Sequence, residues 1–327
     1  MRALMGVVGA SALLVLLGAG PVAAADGDKG FTIEDPRITE SSGLAASRQH
    51  PGIYWTHNDQ DTGSYLYAVD SGTGKTVARI TLAGVGQQRD VEAVSIGPDN
   101  QIYVGDIGDN DGVSWPYVWI YQLPEPKKLV DQTIRAKQYV VKYTDGSRDA
   151  ESMVVHPRTG RVYIIDKQED GGHLYEGPAK LSTSGTNVFE PVEPVDLWAT
   201  DAAFSPDGRH LAVRGYFGGI WYDWNGGDLK KEGRLSVPLG QGESVSYSAD
   251  GTKLMLGSEG EGSEVVAQDA PGGGGGSSGS SSGGGSSAQG GSGGDGDGNG
   301  TVKVGALAVA AVVAVVFGFR RLSRPRK

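Results

Sequence analysis

Five stretches of this chain repeat one another: "ESSGLAASRQHPGIYWTHND" from Glu40, "EAVSIGPDNQIYVGDIGDN" from Glu92, "ESMVVHPRTGRVYIIDK" from Glu151, "TDAAFSPDGRHLAVRGY" from Thr200 and "ESVSYSADGTKLMLGSE" from Glu243. Each reads as strand, tight turn, strand. Short alternating runs of Val, Ile, Leu and Tyr flank turns ("GPDN", "HPRTG", "SPDG", "SADG") that carry the Pro, Asp and Gly such connections need. Further strands follow each hairpin, as "YLYAVD" and "TVARITLAG" follow the first. Four strands recurring every roughly 40 to 60 residues predict an all-β fold made of propeller blades, because one such sheet cannot bury its own apolar faces. The fifth repeat stops at "EVVAQ", one strand short, and "GFTIEDP" near the start of the chain supplies the missing strand. We therefore expect a five-bladed β-propeller closed by its N-terminal strand. Six blades is the alternative, if the long interval between Glu92 and Glu151 hides a degenerate one.

The ends of the chain follow other rules. Met1 and Arg2 precede an apolar run to about Gly20, and Ala23 and Ala25 are the small residues of a cleavage site before Asp26. Residues 1–25 thus read as a secretory signal peptide. At the far end, the uncharged run Val304 to Phe319 is preceded by Lys303 and followed by "RRLSRPRK", which predicts a transmembrane helix over 302–322 and a basic cytoplasmic tail at 323–327. Residues 269–301, almost wholly Gly and Ser from Pro271 to Gly294, form a flexible tether. The expected protein is a single-pass type I membrane protein with residues 26–268 outside the cytoplasm. Two apparent motifs fail. "DGDGNG" begins like a calcium-binding EF-hand loop, but its twelfth position falls on Ala306, and the "GKT" ending at Thr76 has Val69 where a phosphate-binding loop needs glycine.

The chain has no cysteine, so an exported domain of this length is stabilised by core burial and not by disulfides. Residues 26–268 hold 22 Lys and Arg against 36 Asp and Glu, a formal charge of −14. Such a surface repels nucleic acid and favours cations or basic partners.

In a propeller the first strand of each blade begins where the second ends, beside the central channel. The second strands end in "THND", "GDIGDN", "IDK", "RGY" and "GSE", which brings Asn58, Asp59, Asp106, Asp109, Asn110, Lys167, Arg214, Tyr216 and Glu259 to one face. The first strands add Glu40, Glu92, Glu151, Asp201 and Glu243, with Asp90 and Asp149 just ahead of two of them. The acidic stretch "VGDIGDND" therefore has polar counterparts all round the ring, which points to a ligand-binding face. Ion pairing of these carboxylates with Lys167 and Arg214 is the structural alternative.

"THND", "DVEAVSIGPDNQIYVGDIGDN", "IYQLPEP" and "DAESMVVHPRTGRVYIIDK" resemble an uncharacterised group of secreted or surface bacterial β-propeller proteins, across most of the ectodomain. More distantly, "DVEA" at Asp90 and the strand ending "IIDK" are similar to the β-propeller phytases, calcium-dependent phosphatases that hold several calcium ions on an acidic face. Ala93 and Ser152 stand where the phytase-like glycine would be.

Three functions fit this face. One is a binding module for a small molecule, polysaccharide or protein, using Asn58, Asp59, Asn110, Lys167, Arg214, Tyr216, Glu243 and Glu259, with calcium as candidate cofactor. The second is a metal-dependent phosphoesterase in which calcium, held by Glu40, Glu92, Asp106, Asp109 and Glu151, orients a phosphate beside Lys167 and Arg214. Oxygen ligands alone suit calcium or magnesium and not zinc. The third, a glycoside hydrolase, rests on fold analogy. The five histidines form no zinc pattern, and neither a G-x-S-x-G elbow nor a cysteine nucleophile occurs. Tyr54, Trp55, Trp115, Trp119 and Trp221 are expected to pack between blades, with contact to a sugar or peptide as the alternative for Trp115, in the loop after "GDIGDND". Whether the face is catalytic the sequence leaves open, so the first function is the working expectation.

Overall fold

The computed structural model describes residues 28–59, 63–110, 113–238 and 241–271. The expected signal peptide, membrane helix and basic tail, and the tether beyond 271, lie outside the described residues. Among the described residues no helix is long and apolar enough to cross a membrane.

A short strand β1 (Phe31–Thr32) comes first. β2 (Ser41–Ala46), β3 (Ile53–Asn58), β4 (Tyr65–Asp70) and β5 (Thr76–Ala83) follow, then β6 (Val91–Gly97), β7 (Gln101–Asp106), β8 (Val118–Pro124), β9 (Gln132–Arg135) and β10 (Lys137–Tyr143). The next are β11 (Ala150–Val155), β12 (Val162–Asp166), β13 (Gly172–Glu176) and β14 (Thr186–Val195). β15 (Ala199–Phe204), β16 (His210–Gly215), β17 (Gly218–Asn225), β18 (Asp228–Leu235), β19 (Gly242–Tyr247), β20 (Lys253–Ser258) and β21 (Glu264–Asp269) complete the strands of the described residues.

Antiparallel pairing groups these strands into units of four: β2-β3-β4-β5, β6-β7-β8-β10, β11-β12-β13-β14, β15-β16-β17-β18 and β19-β20-β21-β1. The strand missing from the last repeat is indeed N-terminal, with Phe31 opposite Val265 and Thr32 opposite Glu264. The interval between Glu92 and Glu151 contains no further four-stranded unit among the described residues. It contains β9, added parallel to the edge of β5. β14 in turn pairs in parallel with β10, which joins the second and third units into one sheet. The first strands β2, β6, β11, β15 and β19 pack on one another in that cyclic order, with β19 returning to β2. The fold is all-β and propeller-like.

Position in the unit explains the residue patterns. β11 and β19 are buried at every residue, the bulged Glu151 and Glu243 at their starts included, and show no alternation with exposed positions, whereas the outer β5 and β14 alternate. Neighbouring units meet through apolar clusters, such as Trp55 and Ile80 of the first against Ile102 and Tyr121 of the second, all four at 0% exposure. The repeat persists at atomic detail in the turns. Ser205 and Ser248 each donate a hydroxyl hydrogen bond to the aspartate two residues on, Asp207 and Asp250, both at 2.6 Å. Gly208 and Gly251 follow at φ +68° and +75°, a conformation that costs any side chain but glycine.

Candidate functional site on the acidic face

Each first strand carries an irregularity at its start, and these irregularities build the face. Val91 pairs with Asp106 and Ala93 with Gly105, so Glu92 is left out of the ladder. Glu151, Thr200 and Glu243 are left out in the same way, and Ser42 with Gly43 takes this place in the first unit. A bulge turns the extra residue away from the regular pleat, here at the mouth of the ring. The register therefore matches Glu92, Glu151 and Glu243 with Thr200, the residue that heads the aligned fourth repeat, and with Ser42 in place of Glu40. Glu40 falls two residues earlier, in the place of Asp90, Asp149 and Gln241. The carbonyls of Glu40, Asp149 and Gln241 accept the N–H groups of Asp59, Lys167 and Glu259 at 3.0, 2.8 and 3.0 Å.

Asp59, Asp90 and Glu92 form the tightest carboxylate group among the described residues, each offering an oxygen within 4.8 Å of the others. Asp59 Oδ1 is buried and accepts no hydrogen bond. Burial first, then the neighbouring Asp90, pushes the Asp59 carboxyl well above the usual carboxylate range. Burial, followed by Asp59 and Glu151, does the same to Glu92. Ser42 Oγ donates to Glu92 Oε2 at 2.9 Å. The loop after β7 folds down over the group, where Asn110 Nδ2 lies 3.4 Å from Asp90 Oδ2. A Cβ on Gly108 would lie 2.6 Å from Asp90 Oδ2 and 2.8 Å from Glu92 Oε1, so only glycine allows this approach.

The other candidates serve different purposes. Asp106 is fully buried and accepts the Asp90 N–H at 2.9 Å, the Arg89 N–H at 3.2 Å and the Tyr121 hydroxyl at 2.7 Å. It holds the backbone that presents Asp90. Asp109 donates its N–H to Asp149 Oδ1 at 2.9 Å and accepts the Trp115 N–H on Oδ2 at 2.7 Å, while its Oδ1 is buried without a partner. Asn58 accepts the N–H groups of Thr39 and Glu40 at 3.1 and 3.2 Å and donates to the Arg37 carbonyl at 2.8 Å, a chain-fixing role.

Across the mouth, Lys167 pairs with Glu151, and the Lys167 ammonium lies 5.8 Å from the centre of the buried Tyr216 ring. Arg214 Nη1 donates to the Ser244 and Gly257 carbonyls at 2.9 and 2.8 Å; burial lowers its pKa to about 10, against the fields of Glu243 and Asp201. Asp201 accepts the N–H groups of Ala202 and Val245, both at 2.8 Å. Glu40 and Glu259 are half-buried at the rim, Glu243 is buried, and Asn110 is exposed. Trp115 stacks on Arg89, whose guanidinium lies 3.9 Å from that ring and 3.8 Å from the ring of Trp119. His57 is buried, which lowers its pKa to about 4.

Of the residues expected to hold metal, the structure brings Glu92 into the close group and seats Asp106 among backbone donors. Two members of the close group were missing from that expectation: Asp59, expected only as a ligand-binding residue, and Asp90. The signal for Asp90 was the spacing Asp-x-Glu, present in both "DVEA" and "DAES".

Comparison with protein-family models and with curated proteins finds no match. Among solved structures, the chain is similar to the apo-form of the soluble aldose sugar dehydrogenase of Escherichia coli, at 13% identity and TM-score 0.45 over 72% of this chain and 98% of that one. A glucose dehydrogenase aligns at 11% identity and TM-score 0.45 over 73% and 99%. The hydrazine synthase of Kuenenia stuttgartiensis aligns at 15% and 0.41 over 70% and 71%. Likeness at this level does not extend to chemistry.

Proposed function

We propose that residues 26–268 form a five-bladed propeller, exported and held at the cell membrane by the C-terminal helix, that acts as a cation-dependent binding module through its acidic face. The grouping of Asp59, Asp90 and Glu92 carries this reading, because three carboxylates within 4.8 Å repel one another unless protons or a cation intervene. The partnerless Asp59 Oδ1 points to a ligand beyond the protein's own donors. An all-oxygen set suits calcium, which accepts irregular geometry at about 2.3 to 2.6 Å, better than magnesium with its octahedral demand. Asp59, Asp90 and Glu92 would hold the ion, and the ion's open positions would take oxygen atoms of the partner. The purified full chain in detergent, stripped with chelator, tests this by titration calorimetry with calcium. Saturable heat at micromolar concentrations, lost in Asp59→Asn with Asp90→Asn, is the expected result; absence of heat at millimolar calcium and magnesium overturns it.

A second reading, a calcium-dependent phosphoesterase, draws on Lys167, whose charge favours the ionised form of Glu92 and would favour a phosphate at the same ion. Calcium-dependent hydrolysis of p-nitrophenyl phosphate that disappears in Asp90→Asn would select it over simple binding.

A further inference from the structure

A concave site lies at the end of the strands opposite the acidic face, where the turns are, between the third and fourth units. It encloses about 630 Å³ and is lined by Arg158 and Arg161 of the third unit and Trp224 and Asn225 of the fourth, with Tyr163 and His156 between them. That volume falls within the roughly 300 to 1,000 Å³ typical of small-molecule sites.

Its chemistry is the inverse of the acidic face. No carboxylate lines it, although the ectodomain carries 36 acidic residues. Arg161 is paired with Glu176 just outside, whereas Arg158 is exposed and forms no ion pair among the described residues. The turn that presents Arg158 is fixed by His156, whose Nδ1 accepts the N–H groups of Arg158 and Thr159 at 3.3 and 3.2 Å while Nε2 meets the Gly208 carbonyl at 3.2 Å. With Nδ1 accepting, the imidazole is neutral, and burial lowers its pKa in the same sense. The positive charge of the cavity is therefore that of arginine and does not depend on histidine protonation. The aromatic wall is equally fixed. The Trp224 ring stands edge-on to Tyr163 and Phe204, with centroids 4.8 Å away in both cases.

We propose that this cavity binds a small organic anion built on a flat aromatic ring, an aryl carboxylate or aryl phosphate. The ring would pack against Trp224 and Tyr163, and the anionic group would take paired N–H donors from Arg158. Nothing in this proposal depends on the cation site, which lies at the other end of the strands.

The test uses the full chain with benzoate and phenyl phosphate as probes and benzyl alcohol as the uncharged control, read by quenching of tryptophan fluorescence and by titration calorimetry. Both anions are expected to saturate, and benzyl alcohol to bind at least about tenfold more weakly, the effect of one charge-assisted pair. Arg158→Ala, an exposed change, should lower anion affinity by a similar factor and leave the melting temperature and the calcium response unaltered. Equal affinity in wild type and Arg158→Ala, equal binding of the uncharged control, or no saturation up to about 10 mM of either anion each overturns the proposal.

Discussion

Lys167 and Glu151 form an ion pair at the channel mouth with only 7% and 4% of their side chains exposed, on adjoining strand ends of one unit. Burial raises the Glu151 carboxyl, Lys167 pulls it back, and the remaining Glu151 oxygen, Oε2, has no hydrogen-bond partner. Removing one partner strands the other charge in a buried site, which costs about 3 to 5 kcal/mol, whereas removing both costs much less. Lys167→Met should therefore unfold at clearly lower urea concentration than wild type, and Lys167→Met with Glu151→Gln should recover most of the difference. A double variant no more stable than the single one would show that the pair is not the source of the loss.

If the proposed cation site is right, the carboxylate group at Asp59, Asp90 and Glu92 should make stability depend jointly on pH and on cations. Unfolded, these side chains titrate near pH ~4, while Asp59 and Glu92 are raised well above that in the fold. The folded protein then binds more protons in the intervening window, so the stability these groups confer at low pH is lost as pH rises through their folded pKa values. Asp35 works outside this window: Arg37 holds its carboxyl well below the usual range, and its contribution is lost on acidification below about pH 4. With chelator present, the melting temperature should fall between about pH 5 and pH 8; saturating calcium should remove the fall, since it binds the ionised form. Asp59→Asn with Glu92→Gln should flatten the profile in chelator. Identical melting curves with and without calcium at both pH values would leave the group with no role in cation binding.

Much of this architecture was legible because each unit repeats the same local chemistry. Alternating runs, Asp-Gly turns and a last repeat one strand short led to the all-β arrangement and to the pairing of "GFTIEDP" with the last repeat. The start of each first strand was harder to read. Glu40 aligns with Glu92 by letter, yet a bulge shifts the first unit by two residues, and bulges are set by ladder pairing and not by residue type. β9 was missed because "QTIR" is short and mostly polar, and it is held only by the edge of β5. Asp90 and Asp106 looked alike as aspartates near strand ends. Asp106 is consumed by the N–H groups of Arg89 and Asp90 from the segment entering β6 and by the Tyr121 hydroxyl of β8, tertiary pairings that no periodicity records.

Those distinct roles can be separated by experiment. Asp106 accepts two backbone N–H groups and the Tyr121 hydroxyl while fully buried. Asp106→Ala deprives three donors of their acceptor, two of them on the buried Asp90 and Tyr121, at a cost of about 1 to 3 kcal/mol for each buried group left unsatisfied. A substantial loss of stability in urea is expected, whereas Asp90→Asn should leave stability near or above wild type in chelator and abolish the calcium response. If Asp106→Ala were as stable as wild type, Asp106 would have to be moved from the supporting backbone to the ligand set.

Closure of the ring rests on a strand of two residues. Phe31 is 8% exposed, and its ring lies 5.5 Å from that of Tyr54 in the neighbouring unit, inside a cluster with Ile33, Tyr67 and Val265. β1 therefore joins the last unit to the first through side-chain packing as well as through its pairing with β21. Truncating a buried phenylalanine typically costs about 3 to 5 kcal/mol. Phe31→Ala should lower stability by that order, and because the seam is where the first and last described strands meet, it should open there first. Hydrogen exchange monitored by mass spectrometry should show faster exchange in β21 and β2 than in β11 to β14, with the contrast larger in Phe31→Ala than in wild type. Uniform acceleration across all units would mean that the ring yields as a whole and that β1 is an accessory to closure.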